Sequence, residues 1–168
     1  DAVLDLFDRR IHPSPPETAL QLLDCTSLLW RLYLEGVDGG ARAGVLADNW
    51  AARLDVERGF YAFNDMHAMM AFAATGRHAA AARLLAAVDA AATAPGTNAQ
   101  MTRRVGGAII RAIDAFGRER YSDTVALLLP VRYQAHAFGG SHAQRDVVHR
   151  TLLEAALRSG QHTLARAL

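Results

Sequence analysis

Three clusters of polar side chains in this sequence have the residue types and spacing to do chemistry. The first lies in "AFGGSHAQRDVVHR", residues 137–150. On a helix starting at His142, residues His142, Asp146 and His149 fall at i, i+4 and i+7, one narrow stripe. Two imidazoles and a carboxylate on one face resemble a zinc set with an open position. The second is "PVRYQAH", where Arg132 and His136 are i, i+4 partners. Arg132 and Arg145 together could hold an anion against the N-terminus of the helix that follows Ser141, where unpaired N–H groups point. The third is "FNDMHAMM", with Asn64, Asp65 and His67. Asp65 and His67 suggest a base and its orienter, although residues two apart diverge on a helix.

Each cluster also has a purely structural account. Ser141 and Gln144 have the spacing of a capping box, as do Ser14 with Glu17 and Thr97 with Gln100. Gly139 and Gly140 suit a helix end that needs positive φ. Asn64 or Asp65 serves as an N-cap, and a metal set normally draws a ligand from a second helix. The stripe of His142, Asp146 and His149 runs on into Leu153 and Leu157, so it is expected to face the interior or a groove. There its polar groups must find partners. A hydrogen-bond network joining neighbouring helices is the main reading; a metal site is the alternative.

The elements that must carry these residues are helical, with no sustained alternation of strand type. A first helix over 2–10 puts Val3, Leu6 and Phe7 on one side. "HPSPPE" stops it and starts a second helix at Ser14 and Pro15, which runs to about Glu35 and buries Leu22, Leu29, Trp30 and Tyr33. His12 sits in that turn, within reach of a groove. A third helix over 41–54 carries Trp50. Then "MMAFAATGRHAAAARLLAAV", "IIRAIDAFGRERYSDTVALLLP" and "TLLEAALRSGQHTLARAL" superimpose, with turns at Gly76, Glu119 and Gly160, 43 and 41 residues apart. His78, Tyr121 and His162 follow two residues on, and Ala81, Thr124 and Ala165 five residues on. A period of this size signals stacked helical hairpins. Gly106 and Gly107 inside a helix mark a close crossing, Pro130 ends a helix near Leu129, and Met66, Met69 and Met70 belong to the core. The fold expected is all-α, a right-handed α-solenoid of about four hairpins in a single domain over 1–168.

Small-x-x-G-x-(aromatic or His)-x-x-A is the core of the tetratricopeptide pattern, whose usual period is about 34 residues. More narrowly, "IHPS", "LLWRLYLEG", "YAFNDMHAMMAF", "VRYQAHAFGGSHAQRDV" and "LLEAALRSG" resemble the tetratricopeptide repeat protein 38 family, in its C-terminal part. The resemblance spans nearly all of the sequence. It implies a helical-repeat fold and no particular activity.

Composition narrows the classes further. With 168 residues, 51% of them hydrophobic and a net charge of +1, the chain forms a sizeable core and has no field to draw in nucleic acid or an acidic membrane. All 18 basic residues are arginine. Cys25 is the only cysteine, which excludes an intrachain disulfide and suits a reducing cytoplasm; within "LLDCTSLLW" it reads as a small buried hydrophobe. The sequence opens without Met and stops mid-pattern, which reads as part of something longer. Walker A, dinucleotide, nucleophile-elbow and HExxH motifs are absent, so no cofactor is expected. The function expected is a binding scaffold. Asn64, Asp65, His67, Arg132, His136, His142, Arg145 and Asp146 would present a polar groove to a peptide, a protein segment or a small anionic ligand, and self-association is possible. The rival is a hydrolase-type or metal-dependent enzyme built on His142, Asp146 and His149.

Overall fold

The computed structural model describes residues 2–11, 18–57 and 59–168, without the side chains of Asp55 and Glu57. The caps expected at Ser14 and Glu17, and His12, lie outside the described residues. The chain is all-helical at 82% helix, with no strand among the described residues. Its α-helices are α1 (Ala2–Leu6), α2 (Ala19–Leu34), α3 (Ala41–Glu57), α4 (Ala62–Ala74), α5 (His78–Thr93), α6 (Thr97–Met101), α7 (Gly107–Gly117), α8 (Tyr121–Leu128), α9 (His142–Arg158) and α10 (His162–Ala167). Wider π-turns continue α1 over Phe7–Ile11 and precede α7 over Thr102–Gly106, and a 3-10 segment spans Arg132–Phe138.

Four tight turns of one kind join α2 to α3, α4 to α5, α7 to α8 and α9 to α10. Each pivots on a residue with positive φ: Gly36 (77°), Gly76 (63°), Glu119 (59°) and Gly160 (75°). The following N–H reaches back five residues in every case: Val37 to Leu32 O, Arg77 to Phe72 O, Arg120 to Ala115 O and Gln161 to Ala156 O, at 2.8–2.9 Å. This is the bonding of a Schellman helix end, which satisfies carbonyls left open at the terminus. The helix end expected at Gly36 joins the three superimposed turns as a fourth of the same kind, and the pivots stand 40, 43 and 41 residues apart.

The second helix of a hairpin packs on its own first helix and on the first helix of the next pair: α3 on α2 and α4, α5 on α4 and α7, α8 on α7 and α9. Hairpin order is therefore kept. The ends nevertheless meet, because α9 folds back onto α2. Trp30 Nε1 donates to Thr151 Oγ1 at 2.9 Å across 121 residues of sequence, and the Trp30 ring lies edge-on to Phe116, 5.7 Å between centroids. First helices that would have lined an open groove instead enclose a core.

Helix α4 is central and almost wholly buried. Met66, Met69 and Met70 sit in that core, as the sequence predicts. The close crossing expected at the glycine pair is real at Gly106. A Cβ there would come 2.4 Å from Ala62 Cβ, and one at Gly117 would come 2.5 Å from Ala73 Cβ. Bare backbone at both points lets α7 lie against α4. Helix α8 ends at Leu128, just short of Pro130, as expected.

Some local expectations fail. Val3 and Leu6 are exposed and only Phe7 of that trio is buried, because the backbone widens into a π-turn there. Helix α2 is capped by a Thr18–Gln21 box. Thr97 is no cap: α6 begins after Gly96 at φ 102°, and no side chain bonds to its first turn.

Candidate functional site

The 3-10 segment exists because Pro130 ends α8 and the chain must still reach the Gly139–Gly140 turn. Both glycines have positive φ, 96° and 76°, and both are pressed against the head of α4. A Cβ on Gly139 would fall 2.0 Å from the Tyr61 hydroxyl, and one on Gly140 would fall 2.5 Å from the Phe63 ring. Phe138 anchors the same corner, edge-on to Phe63 at 5.5 Å. The chain then enters α9 through the expected box: Gln144 N–H donates to Ser141 Oγ at 3.2 Å, and Ser141 N–H to Gln144 Oε1 at 2.8 Å.

Between the 3-10 segment, one side of α9 and Ala167–Leu168 lies a cavity of about 390 Å³. Arg132, His136, His142, Arg145 and Asp146 line it, five of the eight residues singled out from sequence, and His149 joins them. Its wall is cationic in balance. Asp146 is the only acidic side chain on it among the described residues, and it accepts from Arg31 and, at 3.0 Å, from Arg150 Nε. Arg145 is committed to the carbonyls of Gly139 and Gly140, fastening the turn to the helix. Arg132 donates through Nη1 to Leu129 O at 2.6 Å and through Nη2 to the Tyr133 hydroxyl at 3.3 Å. Its Nε is the one buried side-chain nitrogen or oxygen without a hydrogen-bond partner among the described residues. His136 contacts Tyr133 O through Nδ1 at 3.0 Å.

Of the interior or groove expected for the stripe, the structure gives the groove: His142, Asp146 and His149 line the cavity, but Leu157 is exposed and Val147, Val148, Thr151, Leu152, Ala155 and Ala156 form the buried side. The alternative of a metal set needs correction: Asp146 does not combine with the histidines, since arginines take its oxygens. Among the described residues no group of three or more His, Cys, Asp or Glu is placed to hold a metal ion.

Asn64, Asp65 and His67 lie apart from this cavity. Helix α4 is preceded by Tyr61 with no side-chain cap, so neither Asn64 nor Asp65 caps it. Asp65 is instead buried and accepts the Gly59 N–H at 3.0 Å. Burial pushes its carboxyl up to about 7, against a smaller opposing pull from that bond. His67 is buried against the Phe63 ring, with Nδ1 2.8 Å from Phe63 O. Burial pushes its imidazole down to about 4; the Phe63 bond opposes this and the Arg31 charge adds to it. Neither residue faces a groove, because the closure of α9 on α2 leaves none on that side. The pair is core structure, not a base with its orienter.

Sequence reasoning missed Arg31, the hub of the closure. It bonds to Ser27 O, Ser27 Oγ, Ala143 O and Asp146. It also missed two buried Trp–Thr bonds, Trp30 to Thr151 and Trp50 Nε1 to Thr26 Oγ1 at 2.8 Å. A buried indole N–H needs an acceptor, and a threonine inside an apolar helix was the available signal. Cys25 is buried as expected, its thiol pushed up to about 11, chiefly by burial. No family model matches the chain, and no solved structure matches it.

Proposed function

We propose that the chain is a tetratricopeptide-like helical-repeat binding module, a right-handed array of four hairpins, as the resemblance to the tetratricopeptide repeat protein 38 family implies. Its ligand site is the cationic cavity between the 3-10 segment and α9. The observation that carries this reading is the gathering of Arg132, His136, His142, Arg145 and His149 around a single acidic side chain already paired with Arg31 and Arg150. Arginine donors with an unspent buried N–H suit a planar oxyanion. The ligand is a carboxylate or phosphate carried by a peptide, a protein segment or a small molecule. Repeat regularity supports the fold reading: equal turns recur at near-equal spacing, and each second helix bridges two first helices. A reducing cytoplasm is the setting proposed, on the strength of the single buried cysteine. No described helix is long and apolar enough to cross a membrane.

Calorimetric titration with inorganic phosphate and with an acidic peptide tests the site. Both should bind the wild-type chain, and Arg132→Gln should weaken them by roughly tenfold, about 1.4 kcal/mol, with unchanged melting. Absence of binding, or equal binding by Arg132→Gln, overturns the proposal.

A further inference from the structure

We propose that a second cavity, sharing no residue with the cationic one, binds a small carboxylate with an aryl or branched-alkyl body. It encloses about 280 Å³ beside the Schellman end of α2, at the low end of ligand pockets and enough for one ring or a short branched chain. Leu29, Trp30, Tyr33, Leu46 and Met70 give it apolar and aromatic walls. The Thr26 hydroxyl and the Trp30 indole in those walls are already spent. Thr26 Oγ1 donates to Leu22 O at 2.7 Å and accepts from Trp50, and Trp30 Nε1 is committed to Thr151. The body of a ligand here must therefore be apolar.

Its head is set by Arg158, which also lines the cavity. Three of the five guanidinium N–H groups are used: Nε to Glu154 Oε1 at 2.7 Å, Nη1 to the Tyr121 hydroxyl at 3.5 Å and Nη2 to Leu34 O at 2.9 Å. Its Cζ lies over the Phe116 and Tyr121 rings, 5.1 and 5.5 Å from their centroids. That leaves one N–H on each terminal nitrogen, two donors of the kind that a carboxylate accepts. Tyr33 supplies a further donor, and burial keeps its hydroxyl protonated. Asp38, the acid on the lining, accepts the Gly40 N–H at 2.8 Å and sits on the exposed turn. Arg158 and Tyr33 thus border an apolar chamber that a turn of small residues leaves open; a Cβ added at Gly36 would touch nothing.

Phenylacetate is the probe, with benzyl alcohol lacking the carboxylate and acetate lacking the body. Trp30 emission, assigned by difference from Trp30→Phe, should change saturably with phenylacetate and respond at least roughly tenfold more weakly to either control. Arg158→Gln should abolish the preference over benzyl alcohol while benzyl alcohol still binds, which also shows that the chamber survives. Ala43→Leu should block both. Should either variant fail to fold, methyl shifts in the wild-type chain decide the matter: Leu29, Leu46 and Met70 must move with phenylacetate. No saturable change, equal affinity for the alcohol, or shifts confined to the region of Arg132 overturns the proposal. The cationic cavity is tested by different residues and probes, so either site can fail without the other.

Discussion

Helix α4 carries an aspartate close to one histidine and helix α9 an aspartate close to two, and the fold places them in opposite surroundings. In α4, Asp65 and His67 are buried among methionines and phenylalanines, and each is pushed toward its neutral form. In α9, His142 and His149 are exposed, and half-exposed Asp146 is held by two arginines. Residue types are alike, although Asp65 and His67 stand two apart while the α9 residues lie at i, i+4 and i+7; what differs in surroundings is whether other helices cover the side chains. Burial without an opposite charge beside it suppresses the ionisation of the α4 pair. The α4 cluster is therefore part of the core, whereas the α9 cluster is the one available for the recognition proposed above.

The comparison is broken most severely by pH. Asp65 has a folded pKa of about 7, above the unfolded value of about 3.9. Its contribution to stability is full below the unfolded value and is lost as pH rises through the folded one. His67, with a folded pKa of about 4 against about 6.5 unfolded, contributes above the unfolded value and loses it as pH falls through the folded one. Between these limits the two proton balances oppose each other, so the pair gives the wild type a plateau from about pH 4 to about pH 6.5. Asp65→Asn keeps an acceptor for Gly59 and removes the buried charge. It should raise stability at pH 8 by as much as about 4 kcal/mol and expose a steep acid limb. His67→Leu should show the reverse, with stability rising as pH falls from 7 to 4. Urea unfolding across pH measures both, and parallel curves for the three proteins would contradict the buried-neutral reading.

The next largest effect concerns how α9 is delivered to its place. Gly140→Ala combines positive φ with a Cβ 2.5 Å from Phe63, for an expected loss of about 3 kcal/mol. Gly160→Ala has φ 75° with nothing within 4 Å, so it should lose only about 1 kcal/mol. The difference isolates the contact between the entry to α9 and the head of α4. Equal losses would mean that the corner is not packed as described.

The hairpin turns were legible because a left-handed pivot favours glycine, and Gly76 and Gly160 announce two of them. A helix end at Gly36 was expected, but its place in the same series went unread because "LLWRLYLEG" carries bulky residues where the other units have small ones. Closure of α9 onto α2 was not legible, since it depends on pairs such as Trp30 with Thr151 that no local pattern relates. The buried face of α9 was not legible for a related reason. Leu153 and Leu157 lie on one side while Val147, Val148, Leu152 and Ala155 lie on another, so apolar periodicity alone does not choose. Burial of Asp65 was equally hidden, because its partner is a backbone N–H in the preceding turn. Five of eight site residues still converge, since Pro130 and the two glycines fix where the 3-10 segment must lie.

A smaller test concerns the one pivot that is not glycine. Glu119 is the only non-glycine residue with positive φ among the described residues. Glu119→Gly should relieve that strain and stabilise by about 1 kcal/mol, reduced somewhat by the freer unfolded chain. Thermal melting measures it. A loss of stability would show that the Glu119 side chain contributes more than its backbone costs.

The smallest expected effect is the most discriminating for function. His142→Ala and His149→Ala remove exposed rings that make no hydrogen bond among the described residues, so each should shift stability by less than about 0.5 kcal/mol. A matched substitution on the buried face of the same helix, Thr151→Val, deprives the Trp30 indole of its acceptor and should cost about 1–3 kcal/mol. If the histidines serve recognition, phosphate affinity falls in the double variant while its melting curve overlays the wild type. If they only join hairpins, melting falls and affinity does not. The two faces of α9 then separate stability from binding within one helix, which neither cluster reveals by its residue types alone.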